Sequence, residues 1–115
     1  MARYTGLFAI ALPLKELHQL LLELLESCNL ELMYETPNSI IAREFIGAAP
    51  TAQLVTLELV FELATSTETQ TRMRLEATNE ELTLKFNNRC REIFDAITQV
   101  IVENYQWETI ESLAV

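Results

Sequence analysis

His18, Cys28, Cys90 and Asp95 are the side chains of this 115-residue chain whose types could do chemistry. Nucleophilic catalysis needs a Ser, Cys or Thr within hydrogen-bond reach of a base. His18 is the only histidine, and neither cysteine lies near it in the chain. A Cys–His pair would therefore depend wholly on the fold. His18 falls among leucines in a helical pattern, where the ordinary role is a flank residue touching solvent or a backbone group.

Metal binding needs His, Cys, Asp or Glu in a cluster. One His, one Asp and dispersed glutamates supply no such spacing, so no metal and no cofactor are expected. Gly6 and Gly47 are the only glycines, so a glycine-rich phosphate loop is ruled out. Paired carboxylates do acid–base work when burial raises the pKa of one of them. Glu31, Glu35 and Glu44 could converge on one sheet face, although a solvated face is the commoner use of strand glutamates. Asn87-Asn88-Arg89 is the most unusual polar cluster. Asn is a poor mid-helix residue, so the cluster reads as a helix start or a strand-end cap. The rival reading is a polar contact site with Arg89 holding a carboxylate. No catalytic constellation emerges, and no enzyme is expected.

The elements that would carry these groups follow from hydrophobic periodicity. Tyr4 to Leu12 reads as a strongly apolar, central strand, ended by Pro13. Leu14, Leu17, Leu21, Leu24, Leu25 and Cys28 fall at spacings of three and four, which predicts a helix over 14–28. Leu20 and Leu22 widen its apolar stripe beyond what a monomer needs. Leu30–Thr36 and Ile40–Ile46 read as two strands around a Pro37-Asn38-Ser39 turn. Residues 54–63 and 69–77 alternate apolar and polar positions on either side of a short polar link, a hairpin with one wet face. Thr78 and Glu81 fit a capping box, which predicts a long helix from there to about Tyr105. Leu82, Leu84 and Phe86 also alternate, so a short strand over 82–86 is the rival. Residues 1–106 are expected to form one domain, with 107–115 a tail or a last helical turn.

Composition narrows the function classes. A chain of this length buries roughly two thirds of its unfolded surface, enough for a core without staples. The net charge of −9 repels phosphate backbones and anionic membranes, so neither nucleic acid nor membrane is an expected partner. Two isolated cysteines read as reduced thiols. The apolar start lacks a signal-like cleavage site, and the cytoplasm is the expected location.

The order β-α-β-β-β-β-α calls for an α+β fold in two layers. An antiparallel sheet of about five strands would carry two helices on one face. This order is similar to that of helix-grip and TATA-binding-protein-like domains. Small acidic α/β secretion chaperones are similar in size and composition, but their element order differs at the first strand.

Two uses are expected of such a fold. One is a non-enzymatic protein-interaction or assembly module, self-associating or binding another protein. It would act through the wet sheet face (Glu58, Val60, Glu62, Arg72, Arg74), the tail residue Trp107, or an apolar helix edge. The other is a small apolar-ligand cleft between the last helix and the sheet. Phe8, Tyr34, Phe45, Phe61, Met73, Phe86 and Phe94 are its candidate lining.

Overall fold

The structure, a computed structural model, describes residues 1–82 and 88–115. Strand β1 (Ala2–Ile10) leads through Pro13 into helix α1 (Leu14–Ser27). Strands β2 (Leu30–Thr36) and β3 (Ser39–Glu44) form a hairpin, as do β4 (Thr56–Phe61) and β5 (Thr71–Asn79). Helix α2 (Arg89–Val102) and strand β6 (Thr109–Ala114) complete the chain. The sheet runs β2-β3-β4-β5-β1-β6, antiparallel throughout. The fold is thus α+β as expected, with six strands where about five were expected.

The apolar alternation dictates which face is covered. Phe8 and Ile10 of β1, Leu57, Leu59 and Phe61 of β4, and Met73 and Leu75 of β5 point to the helices and are buried. Leu17, Leu21, Leu24 and Leu25 of α1 meet them, as do Cys90, Phe94, Ile97 and Ile101 of α2. Each such large apolar side chain contributes roughly 1.5–3 kcal/mol relative to exposure. Gly6 sits on this face because a Cβ there would lie 3.2 Å from the Phe94 ring. Asn29 ends α1 with φ at 64°, a left-handed position that Asn tolerates.

Two local expectations are corrected. The long helix does not start at Thr78, which pairs with Thr56 and Arg3 inside the sheet. The helix starts at Arg89 and is capped by Asn88, whose Oδ1 accepts from the Arg91 N–H at 3.2 Å. Of the cluster at 87–89, Asn88 and Arg89 form the helix start, and Asn87 lies outside the described residues. The rival strand over 82–86 falls largely on residues outside those described. Finally, 107–115 supplies β6 rather than a helical turn. The three-residue spacing of Trp107, Ile110 and Leu113 imitates a helix because of a register shift. Ala9 pairs with Glu111 but Ile10 pairs with Thr109, which leaves Ile110 as the extra residue.

Candidate functional site

Glu44 ends β3 on the helical side of the sheet, opposite Leu30 of β2, and is only 5% exposed. A carboxylate there must be paired or hydrogen-bonded. Val55 N–H donates to Glu44 Oε1 at 3.0 Å, and Arg89 Nε donates to the same oxygen at 2.9 Å. Arg89 Nη2 completes a two-point contact with Glu44 Oε2. The hydrogen bond to Glu44 holds the Arg89 guanidinium above its ordinary pKa, against the opposing effect of burial. Glu81 Oε1 accepts the Arg89 backbone N–H at 2.9 Å, placing an acidic side chain at the positive end of α2. Asn79 donates to the same Glu81 oxygen, and Asn88 donates to the Tyr4 hydroxyl at 2.8 Å. The start of α2 is thereby locked to β1, β3 and β5.

Beside this lock the helical layer is incomplete. A cleft of about 350 Å³ opens between α2, the end of α1 and the β2–β3 hairpin. Ile93, Ile97 and Val100 form one wall, Leu30 and Phe45 another, and the Glu44–Arg89 pair lies at its polar end. A second cleft of about 470 Å³ runs between α1 and β2 and shares Leu30 and Phe45 with the first. Together they make one apolar groove. Phe45 is 49% exposed and Ile46 is 79% exposed. The far rim is acidic, carrying Glu23 and Glu26 of α1.

The opposite face of the sheet carries five of the sequence candidates. Val60 pairs with Arg74, and Glu62 N–H donates to the Arg72 carbonyl at 2.8 Å, so these four lie side by side. Glu58 faces Glu76 rather than an arginine. The ion pairs run toward the other edge instead. Arg72 reaches over Ala9 to Glu111 at 3.3 Å, and Arg3 meets Glu76 at 3.4 Å. Small apolar islands remain at Leu7, Ile41 and Val60, each half-buried.

Trp107 does not join that surface. It is 8% exposed, and its Nε1–H donates to the Ile101 carbonyl at 2.9 Å. Phe8, Phe61, Met73 and Phe94 are packed core residues and line neither cleft. Tyr34 is exposed on the far side of the sheet, in register with Ile41. Phe45 is the one aromatic of the expected cleft that lines the groove among the described residues; Phe86 lies outside them. Glu31, Glu35 and Glu44 do not converge. Glu31 faces Arg43 on the wet side, whereas Glu44 points to the helices.

The remaining chemical candidates have structural duties. His18 Nε2 is hydrogen-bonded to the Thr36 carbonyl oxygen at 3.0 Å, and its ring lies 5.6 Å from that of Phe61. Both thiols are free. Burial pushes the Cys90 thiol up to about 11, while Cys28 is half-buried at the groove. Among the described residues no three His, Cys, Asp or Glu side chains gather as a metal site would require, and no helix is long and apolar enough to cross a membrane. No protein-family model matches this sequence, and no curated protein is similar enough to count as a relative.

Proposed function

We propose that this protein is a non-enzymatic protein-interaction module, an assembly or chaperone-like factor that docks a partner in the groove centred on Leu30 and Phe45. One observation carries the reading: two adjoining apolar clefts share those residues and leave Phe45 half exposed. Exposed apolar surface rimmed by polar groups marks interaction sites. The wet sheet face is the weaker candidate, because its arginines at 3 and 72 already pair with carboxylates of the same face.

The proposal extends to fold type. Two helices on one face of strands ordered β2-β3-β4-β5-β1 support a helix-grip or TATA-binding-protein-like arrangement, with β6 an added edge.

Affinity capture from source cells tests the function. Phe45→Asp is expected to lose a partner that Arg74→Glu retains. Loss with Arg74→Glu alone would move the site to the sheet face. A second reading, a small apolar ligand, is favoured by the cleft against α2, whose volume of about 350 Å³ is ligand-sized. Saturable binding of a fluorescent fatty acid that Val100→Trp abolishes would support it over a protein partner.

A further inference from the structure

Resting on the docking reading above, we infer that the groove takes an amphipathic helix of a different protein, apolar on one side and carrying Lys or Arg along the flank that meets α1 and β2. Three observations lead there.

The groove is walled by side chains of two helices and a hairpin, so side chains and not free backbone must supply the contacts. The neighbouring edge strand β2 is poorly suited to adding another strand. Its pairing with β3 shifts register between Leu32 and Tyr34, leaving Met33 out of the ladder, and such irregularity blunts an edge. Helix-in-groove docking needs only an apolar face with anchors at helical spacing.

Charge decides the flank. Glu23 and Glu26 of α1 line the α1–β2 side of the groove, and neither forms an ion pair among the described residues. Complementary charge on a partner would steer association and set orientation. At the α2 side, Glu44 and Arg89 cancel each other, so the partner needs no charge there.

The same bookkeeping of charge disfavours a second copy of this chain. A copy brings another −9. Four of its eight basic side chains, Arg3, Arg72, Arg89 and Arg91, are already held by carboxylates. Few cations remain to answer the acidic rim.

A displayed library of random helical peptides, selected on the whole protein, tests this. Enriched peptides should share apolar residues at helical spacing with an excess of Lys and Arg. Their binding should fall about tenfold or more from low salt to about 0.5 M, where screening shortens to a few ångströms. Phe45→Asp should abolish binding. Glu23→Lys with Glu26→Lys should remove the basic preference while leaving apolar anchoring. Phe45-dependent peptides without basic excess would overturn the charge proposal and leave groove docking standing. Selection of no Phe45-dependent peptide would overturn both, and a groove-dependent dimer in sedimentation would replace the foreign helix with a second copy.

Discussion

Arg89, the first residue of α2, grips Glu44, the last residue of β3, with Nε 2.9 Å from one carboxylate oxygen. The pair is asymmetric. Arg89 keeps 31% of its side chain in solvent and Glu44 only 7%. Removing Arg89 strands a buried carboxylate, whereas removing the Glu44 charge leaves a guanidinium that can turn to water. Arg89→Met is therefore expected to cost about 3 kcal/mol, and Glu44→Gln about 1 kcal/mol. Urea unfolding at neutral pH measures both. Equal costs for the two variants would contradict the asymmetry.

The two thiols should separate by reactivity and by pH. Cys28 borders the groove and Cys90 is fully buried, so a thiol reagent should modify Cys28 alone in the native state. The folded Cys90 pKa, about 11, lies above its unfolded value of 9.0. Its contribution is fully present below the unfolded value and is lost as pH rises from there to the folded one. Each pH unit in that window corresponds to about 1.4 kcal/mol. Denaturation curves of wild type and Cys90→Ala, compared from neutral pH to the alkaline end, should converge there. Parallel curves would refute the assignment.

Trp107 ties β6 to the core through its bond to Ile101. Trp107→Phe keeps most of the apolar volume but loses one of the two donors to the Ile101 carbonyl, leaving the Thr109 hydroxyl at 3.3 Å, at a cost of about 1 kcal/mol. Trp107→Ala adds a cavity and should cost about 3–5 kcal/mol. As the only tryptophan, it should also emit as a buried indole and shift to the red on unfolding. A solvent-like emission in the native state would show that β6 is not docked.

On the wet face, Glu58 of β4 stands directly opposite Glu76 of β5. Like charges in register destabilise a strand pair, and β-branched residues suit such a position. Glu58→Thr is expected to stabilise by roughly 0.5 kcal/mol, readable as a higher melting temperature. A lower one would mean that the diagonal neighbours Arg43 and Arg74 dominate.

Much of this architecture was legible from periodicity alone. The leucines of α1 and the alternation of β4 and β5 each declare one covered face, and they are long enough to be unambiguous. Legibility failed where local chemistry imitates another element. Thr78 and Glu81 have the spacing of a helix cap but serve a strand and a capping carboxylate. Ile110 bulges and lends β6 a false helical period. The register of β4 on β5 was not readable either, because the link at 64–68 admits several turn geometries. The groove left a weak trace. Leu20 and Leu22 widen the α1 stripe, and Phe45 and Ile46 stand together just before a glycine. That Glu44 turns inward to meet Arg89, 45 residues away, is tertiary information with no local signature.

Thiol-directed photo-cross-linking in extracts of the source cells tests the groove most directly. The native Cys28 serves as one handle, and a Cys28→Ser, Arg74→Cys variant places the handle on the wet sheet face. The expected result is a defined adduct to another polypeptide from Cys28, lost on Phe45→Asp, with none from position 74. An adduct from position 74 alone, or one from Cys28 that survives Phe45→Asp, would contradict docking in the groove.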